Sequence, residues 1–598
     1  MPAPEPDANP TPTVGFVSLG CPKNLVDSEV MMGLLHRGGA QLTPRAEDAD
    51  ILVVNTCSFI DSAKQESVDT ILEMVQHKIA NGGRAKKLIV AGCLVERYRD
   101  EIRANIPEVD AVVGTGELEA ILEAAGLNRP AQTTNSPFPI LTTAQLDHMD
   151  AAKPDRMEID RHASAVSQHS RPDGNSPQLR HEAHSTGHSH RVEGDGLQPV
   201  HSADNEQLGF SPRGNLDATT SRPEGDLREA AGRFSREAWD GATAALPTYL
   251  YSDETPRILT TPRASAYIKI AEGCDHPCSF CIIPQLRGKF RSRPIASIVA
   301  EAKSLIAQGV REITLIGQDT TCYGEDLPPS IPATNLGDPS SPRHRASDAE
   351  DKVGPATTLR APDLADLLNA LAPLEGLTWL RFLYAYPNKI TTRLLQTIAR
   401  HDNIAKYLDV PLQHASASVL RRMKRGGTAD RFLQIIAHAR ETVPNLVLRT
   451  SFIVGFPGET EADFAELLAF VEAARIDWLG VFSYSDEEGA EAFNAAAELK
   501  VPKRTIESRR RKLMKLQQKI SKRARKAWIG RELDILVEGE TEETDLLWQG
   551  RSLDQAPEID GKILINDFGP HEALIPNTFY RAQITESHDY DVVARILE

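Results

Sequence analysis

The segment IAEGCDHPCSFCIIP, residues 270–284, holds Cys274, Cys278 and Cys281 at spacings of four and three residues. No other two cysteines of the 598-residue chain lie within twenty residues of each other. A structural zinc site takes four ligands, usually from two C-x-x-C pairs. Three thiolates in one loop instead fit a 4Fe-4S cubane whose fourth iron stays open. A zinc knuckle, or three incidental cysteines, is the alternative interpretation.

The chain around this loop alternates between strand-like apolar runs and helix-like stretches. Six such runs are AYIKIAE, EITLIGQD, WLRFLYAY, YLDVPLQ, LVLRTSFIVGF and WLGVFSYS. The clearest helix follows GFPGET, where Phe464, Leu467, Leu468 and Val471 share one face. Six βα units in one direction predict an open, partial (β/α)6 barrel over residues 260–526, with function at the carboxyl ends of its strands.

The N-terminal region repeats the alternation and carries three further cysteines. The predicted strands are VGFVSLG, ADILVVNT and KKLIVAG, and Cys21, Cys57 and Cys93 follow them directly, each 36 residues from the next. Because parallel strands end at one edge of a sheet, these thiols can converge there. We therefore predict a parallel α/β domain over residues 12–128 that holds a second cluster. Three scattered buried cysteines are the alternative.

The C-terminal region changes character twice. Residues 501–526 are strongly basic and helical in pattern, which favours a solvated connecting helix, with contact to RNA as the alternative. Short alternating strands then predict a small antiparallel β-barrel over residues 527–598. The chain is thus expected to be a multidomain α/β protein.

Two polar segments interrupt this pattern. Residues 129–258 are rich in Pro, Ser, Asp, Gly and His, and residues 326–360 are similar. Segments this polar bury too little apolar surface to offset their ordering entropy, so both are predicted to be disordered inserts. The tract HEAHSTGHSH could bind metal, although a soluble linker accounts for it as well.

The composition of the chain indicates its cell compartment and its kinds of partner. No secretory signal or apolar run long enough to span a membrane is visible, so we expect a cytoplasmic, monomeric protein with reduced cysteines. The net charge of −17 disfavours broad nonspecific binding to nucleic acid. Cys322 stands apart from the other six cysteines, and we interpret it as structural or incidental.

The pattern C-x3-C-x2-C, directly after the strand that opens a βα barrel, resembles the radical S-adenosylmethionine (SAM) superfamily. The resemblance implies that the open iron takes the amino and carboxylate groups of SAM. It also implies that the reduced cluster cleaves SAM to a 5′-deoxyadenosyl radical while the protein positions the reactants and excludes water.

Further motifs narrow the resemblance. SLGCPKNLVDSE, NTCSFI, AGCLVERY and EGCDHPCSFCIIPQLRGKFRSRP are similar to the methylthiotransferase family over residues 12–128 and 260–598. These enzymes insert a methylthio group into an unactivated C–H bond. The C-terminal barrel would be their TRAM domain, which usually contacts the substrate macromolecule. The resemblance implies two 4Fe-4S clusters and two SAM molecules per turnover, with the methyl group going to sulfur held at the N-terminal cluster.

Contacts to SAM are predicted from the aromatic residue between two ligands and from the strand ends. The candidates are Phe280, Gly317, Gln318, Gln413, Val454 and Gly455. Gly455 could instead simply turn the chain into the next helix. The basic loop formed by Arg287, Lys289, Arg291 and Arg293 could contact substrate or form a solvated face.

Two branches of the family compete. One modifies an adenosine of transfer RNA, and the other modifies the β-carbon of an aspartate in small-subunit ribosomal protein twelve. GCPKN, GQDTTCYGED, LYAYP and LDVPLQHAS resemble the ribosomal-protein branch. From Trp528 to Glu598 there are 16 acidic and 5 basic residues, a net of −11, which suits a basic protein better than a phosphate backbone, although acidic surfaces also keep proteins soluble.

The expected partners are that ribosomal protein, the small ribosomal subunit, a sulfur donor and an electron donor. A two-cluster electron carrier or assembly scaffold is the alternative from outside the enzymes, and its clusters would not cleave SAM.

Overall fold

The computed structural model describes residues 11–127, 246–332, 359–541 and 544–597. The described residues belong to one compact unit, Met1–Pro139 with Ser202–Glu598. Most of both predicted inserts, including the histidine-rich tract, lies outside the described residues.

The N-terminal domain is a five-stranded, fully parallel sheet with the order β2-β1-β3-β4-β5. The strands are β1 (Thr13–Ser18), β2 (Gln41–Thr43), β3 (Ile51–Thr56), β4 (Lys87–Gly92) and β5 (Ala111–Val113), and the helices are α1 (Pro22–Arg37), α2 (Asp61–Val75), α3 (Cys93–Asn105) and α4 (Ile121–Ala125). All of β3 is buried, as expected when helices cover both faces of a parallel sheet. The three predicted strands are present, and the sequence pattern missed β2 and β5, because three-residue edge strands are too short to show a period.

The central domain contains the six predicted strands in one direction. Its strands are β6 (Ser265–Lys269), β7 (Ala271–Glu272), β8 (Arg291–Ser292), β9 (Glu312–Ile316), β10 (Ile331–Pro332), β11 (Leu359–Arg360), β12 (Trp379–Phe382), β13 (Tyr407–Asp409), β14 (Val447–Val454) and β15 (Trp478–Ser483). Parallel pairing joins β6, β9 and β12 on one side and β13, β14 and β15 on the other. A single parallel bridge between Leu380 and Ile404 links the two halves, which is the open barrel that the sequence predicts.

Helices cover the outside of this barrel. They are α5 (Ile283–Arg287), α6 (Ile295–Ala307), α7 (Leu364–Leu371), α8 (Thr392–Arg400), α9 (Ala417–Arg422), α10 (Ala429–Thr442), α11 (Glu461–Ala474) and α12 (Lys503–Lys526). In α11 the predicted apolar face is the buried one, and a capping box between Thr460 and Asp463 fixes where the helix begins.

The C-terminal domain is a closed five-stranded barrel, as the sequence predicts. Its strands are β16 (Glu532–Thr541), β17 (Thr544–Ser552), β18 (Ile563–Asp567), β19 (Thr578–Ser587) and β20 (Val592–Ile596), in the order β16-β17-β18-β20-β19. The pairing of β18 with β20 is parallel, whereas the other pairings are antiparallel.

The small barrel docks on the amino ends of the central strands. Arg551 enters from the small barrel and donates to Glu312 at the start of β9, with one N–O distance of 2.9 Å. The Tyr407 hydroxyl donates to Asp560 at 2.6 Å, and the rings of Trp379 and Phe579 meet edge to face. One end of the large barrel is therefore closed by a polar and aromatic interface, and the carboxyl ends stay free for a site.

Two expectations need correction. Residues 246–258 were assigned to the first insert, yet Tyr251, Arg257 and Ile258 are buried, and Arg257 pairs with Glu29 and Glu301 across the domain junction. The sequence pattern does not show this, because the segment is held by contacts with residues far away along the chain, Tyr251 with Glu301 and the Ile258 N–H with the Glu29 carbonyl. Helix α12 is not solvated all round, because Ile506, Leu513 and Arg525 are buried.

Arg525 in particular lies between the rings of Trp478 and Trp528, at 4.1 and 4.3 Å from their centroids. Its guanidinium therefore belongs to the interior of the junction between the barrels. Most of the other cations of α12 remain exposed. Within the described part of the chain, no helix is both long enough and apolar enough to cross a membrane.

His414, which follows the predicted SAM contact Gln413, should make stability depend on pH. Burial lowers the pKa of His414 to about 3, and its Nδ1 already accepts the Ser416 N–H at 3.0 Å. The native ring stays neutral as pH falls, while the unfolded ring takes a proton below about 6.5, so the stability from this group is present above that pH and lost below it. Between pH 7.5 and 5.5 this ring should cost about 1.4 kcal/mol of unfolding free energy.

Urea unfolding at the two pH values measures the effect. His414→Asn keeps an acceptor for the Ser416 N–H but cannot titrate, so its loss between pH 7.5 and 5.5 should be smaller than that of the wild type. Equal losses of unfolding free energy in the wild type and in His414→Asn would contradict the assignment of this pH dependence to His414.

Candidate iron–sulfur and cofactor site

The loop with Cys274, Cys278 and Cys281 is clamped at its base by the antiparallel pair β7–β8. The Cys274 N–H donates to the Gly288 carbonyl at 3.2 Å, and the Cys281 N–H donates to the Cys278 carbonyl at 3.1 Å. Gly273 has φ +83°, and a Cβ there would lie 2.2 Å from the Lys289 carbonyl oxygen, so the turn into Cys274 requires glycine. The loop backbone thus gathers the three thiols.

The thiols are free in the structure, and their surroundings suit an anionic metal cluster. Burial raises the pKa of Cys281 to about 12 and that of Cys274 to about 11, with repulsion between neighbouring thiolates adding to the effect. Such buried thiols become thiolates when a metal takes the place of the proton. The Ile283 N–H lies 3.4 Å from the Cys281 Sγ, and Arg425 lies 3.7 Å from the Cys278 Sγ. The donor set therefore fits a 4Fe-4S cluster.

The second set of cysteines converges at the carboxyl edge of the N-terminal sheet. Cys21 precedes α1, Cys57 follows β3, and Cys93 begins α3. Gly20 has φ +94°, and a Cβ there would lie 2.8 Å from the Cys57 Cβ, so glycine lets these segments approach. The Ser58 hydroxyl, next to Cys57, donates to the Cys93 carbonyl at 3.1 Å, which brings the third segment to the same edge. Burial and then the charges of Cys93 and Cys21 raise the pKa of Cys57 to about 12. That they hold a second cluster remains a prediction.

Arg287 connects the two sets. It ends α5, directly after the cluster loop, and its guanidinium reaches into the N-terminal domain, 2.6 Å from Asp27 and 3.5 Å from the Cys93 Sγ. Burial raises the pKa of Cys21, but the positive charges of Lys23 and Arg287 outweigh it, and the pKa is lowered overall. The predicted basic loop is therefore neither solvated nor a substrate surface at Arg287, and the same holds for Arg293, which is buried against Glu301.

The other two cations of that loop differ. Lys289 is exposed, and Arg291 is half-buried with its guanidinium on the Tyr249 and Arg287 carbonyls. The sequence could not separate these roles, because inward and outward cations occur within one short loop. Tertiary packing decides which of them turn inward, Arg287 to Asp27 of the N-terminal domain and Arg293 to Glu301 in α6.

A buried ion network surrounds Arg287. Lys269 at the end of β6 contacts both Asp27 and Glu272, and Glu272 also accepts the Gln318 side-chain N–H at 2.6 Å. Burial alone would raise the pKa of Glu272, but Lys269 and Arg287 reverse this and hold it at about 2. The network fixes the orientation of the N-terminal sheet edge toward the cluster loop.

The predicted SAM contacts fall into two groups. Phe280 is half-buried and packs on a cluster that includes Met423 and Phe456. The Gln318 side-chain amide donates to Glu272. Gln413 has φ +71° and forms a parallel β-bridge with Phe452. Gly317 has open space, since a Cβ there would meet its nearest atom, the Ala271 carbonyl oxygen, at 3.6 Å.

Val454 and Gly455 end β14, but they are closed in. Val454 is fully buried, and a Cβ on Gly455 would lie 2.3 Å from the Ile506 side chain of α12. Gly455 is required there for close helix packing, in keeping with the alternative that it turns the chain. The SAM contacts remain predictions.

Two tyrosines after β12, Tyr384 and Tyr386, were not among the predicted site residues. Lys23 lies over the Tyr384 ring, 3.3 Å from its centroid, and Arg425 lies over the Tyr386 ring at 4.4 Å. The signal was their position, because both follow the carboxyl end of β12, where the partial barrel is expected to place its functional residues.

His276 was also not among the predicted site residues. It stacks on Tyr386 with ring centroids 4.0 Å apart, and its Nε2 lies 2.6 Å from Asp319. The Cys322 thiol donates to the same carboxylate at 3.0 Å. The ligand atoms of these three residues lie within 4.8 Å of one another, close enough for a metal ion, but hydrogen bonds already account for the arrangement, which ties the cluster loop to the end of β9. The hydrogen bond from Cys322 to Asp319 agrees with a structural role, which remains a prediction.

Comparisons with known proteins match all three domains. Residues 13–114 match the Uncharacterized protein family UPF0004, residues 268–471 the Radical SAM superfamily, and residues 529–597 the TRAM domain. The methyltransferase TsrM from Kitasatospora setae, a radical SAM enzyme solved with cobalamin and a [4Fe-4S] cluster, covers 79% of this chain and 75% of its own at 14% identity, with a TM-score of 0.40. The match to the Radical SAM superfamily and the cysteine loop within it define a radical SAM enzyme, for which SAM and a 4Fe-4S cluster are the cofactors.

Full-length relatives narrow the class. A protein of Koribacter versatilis is 57% identical over 99% of this chain and 98% of its own length, and one of Solibacter usitatus is 46% identical over 98% and 94%. Both are named ribosomal protein uS12 methylthiotransferase RimO. The chain belongs to this family of radical SAM methylthiotransferases.

Gly20 offers a test of the second cluster with a matched control. Gly20→Ala should lose about half of the bound iron after anaerobic reconstitution, because the new methyl group pushes Cys57 away while the loop at Cys274 is untouched. Gly39 has the same φ of +94° but nothing within 4 Å of a built Cβ, so Gly39→Ala carries the same backbone strain and should keep its iron. Iron and sulfide assays measure the outcome, and equal iron in the two variants would argue against the site.

Proposed function

We propose that this protein transfers a methylthio group to the β-carbon of an aspartate in ribosomal protein uS12, in the cytoplasm. The observation that carries the proposal is the buried side chain of Arg287, which ends the helix after the Cys274 loop and reaches Asp27 and the Cys93 Sγ in the N-terminal domain. The Cys274 set would bind the cluster that cleaves SAM, and the Cys21 set would bind the cluster that presents sulfur. When bound, the two clusters and two SAM molecules supply a hydrogen-abstracting radical and the methylthio group.

Overall, a C–H bond of the aspartate is replaced by a C–S bond. The hydrogen leaves with the deoxyadenosyl part of one SAM, and the methyl group comes from the other. A reductant provides the electron that starts the cleavage, and a sulfur donor restores the sulfide. The protein positions the reacting carbon between the two cysteine sets and excludes water.

The charge of the C-terminal barrel supports a basic protein as the substrate. Glu532, Asp534, Glu540, Asp567 and Glu586 are all exposed on this domain. Such a surface attracts a basic ribosomal protein and repels the phosphates of RNA. The exposed cations of α12 favour the opposite preference, so transfer RNA stays in the test as the second candidate.

A competition assay separates the two. Reconstituted enzyme, SAM, reductant and sulfide are mixed with recombinant uS12 and bulk transfer RNA, and both are analysed by mass spectrometry. We expect a methylthio mass addition on an aspartate of uS12 and unmodified RNA. Modified adenosine with unmodified protein would reject the proposal.

Substitutions in the two cysteine sets should abolish different products of the reaction. Cys278→Ala should abolish formation of 5′-deoxyadenosine, because the SAM-cleaving cluster loses a ligand. Cys57→Ala should still form 5′-deoxyadenosine but give no methylthio product. Chromatography of the nucleoside beside mass analysis of uS12 measures both, and loss of nucleoside formation in Cys57→Ala would mean that the sets do not act separately.

A further inference from the structure

Most of the buried cations at the junction of the first two domains have a carboxylate partner. Lys269 and Arg287 share Asp27 and Glu272, Arg257 pairs with Glu29, and the other ion pairs of the junction follow the same pattern. This is the expected arrangement, because an unpaired charge is costly to bury. Departures from it mark places where an anion from outside the chain would complete the pairing.

Lys23 is such a departure. It is half-buried and lies two residues after Cys21, and its ammonium rests on the face of Tyr384, 3.3 Å from the ring centroid. Across the described ranges, no carboxylate lies within 4 Å of it, and no oxygen accepts any of its three N–H groups. The aromatic face holds the charge in place but leaves its hydrogen-bonding capacity unused.

Tyr384 is itself held in an unusual conformation. Its φ of +65° lies in the left-handed region, which an aromatic residue rarely occupies. The Tyr384 N–H donates to buried Asp409 at 2.9 Å, and Asp409 in turn accepts from Arg449 at 2.7 Å. Backbone strain of this kind is typical of functional sites, where the surrounding structure maintains it. Here it places an aromatic platform under Lys23.

The second cation on the LYAYP segment has a different environment. Arg425 stacks on Tyr386, lies 3.7 Å from the Cys278 Sγ and donates to the Pro411 carbonyl at 2.7 Å. One cation therefore stands beside each cysteine set, and the one beside Cys21 has free donors.

We propose that Lys23 binds the carboxylate of the target aspartate, with Tyr384 as its platform. The inference rests on the function proposed above and adds the residue that selects an acidic side chain. In aspartate the carboxyl carbon is bonded directly to the β-carbon, so holding the carboxylate next to Cys21 also places the reacting carbon beside the sulfur-presenting set. An ammonium with three donors binds a carboxylate better than it binds a neutral amide.

A double-mutant cycle between enzyme and substrate tests this inference. The binding of fluorescently labelled uS12, and of uS12 with the modified aspartate replaced by asparagine, is measured by anisotropy on reconstituted wild type and on Lys23→Met. We expect Lys23→Met to weaken binding of the aspartate form by about tenfold to a hundredfold, the range of a charge-assisted hydrogen bond. The asparagine form should bind both enzymes about equally weakly, so that the two changes are not additive.

Lys289→Met is the matched control. It removes one exposed positive charge from the cluster loop, and it should weaken the two substrate forms to the same small extent. Lys23→Arg, which keeps the charge, should recover part of the preference for aspartate.

Two kinds of result would overturn the inference. If Lys23→Met weakened both substrate forms equally, or lost iron on reconstitution, Lys23 would serve the cysteine set and the inference would be wrong. If wild type bound neither form and modified transfer RNA instead, the proposed function would fail and the aspartate assignment with it.

Discussion

The burial of Arg287 is the constraint on which the site depends. Its guanidinium enters the N-terminal domain from the end of the cluster loop and contacts Asp27 and the Cys93 thiol there. Removing one partner from a buried ion pair typically costs about 3–5 kcal/mol, so the two domains are held in one relative position. Lys269 and Glu272 complete the network and extend it to the first barrel strand. This ion network therefore holds the two domains that carry the cysteine sets in one relative position.

The two ends of the large barrel have different roles: the amino ends carry a domain interface, and the carboxyl ends carry the candidate site. At the amino ends, Arg551 and Asp560 from the small barrel meet Glu312, Tyr407 and the aromatic pair of Trp379 and Phe579. That interface satisfies the polar groups at the base of the strands and attaches the acidic domain firmly. At the carboxyl ends, Arg287 and Tyr384 contact the N-terminal domain, and Tyr386 stacks on His276 of the cluster loop. The residues of the candidate site thus lie along the junction of the first two domains.

The electrostatics of the site follow from the same division. An acidic C-terminal surface attracts a basic partner at long range, where the sum of charges matters. Recognition of one side chain needs a single cation with free donors, and the junction provides Lys23 for that purpose. The paired cations around it contribute structure, because their charges are already neutralised.

The sequence by itself determined the local features of this protein. Continuous apolar runs located the principal strands of the first two domains. The spacing of Cys274, Cys278 and Cys281 indicated an iron–sulfur loop, and the placement of Cys21, Cys57 and Cys93 after successive strands indicated their convergence. These features depend on neighbours in the chain or on the common edge of a parallel sheet. Only the tertiary structure decided that Arg287 is a buried link, that Gly455 serves helix packing, that residues 246–258 belong to the folded unit, and that Lys23 lies on Tyr384. Each of these depends on contacts between residues far apart in the chain, and local spacing carries no information about them.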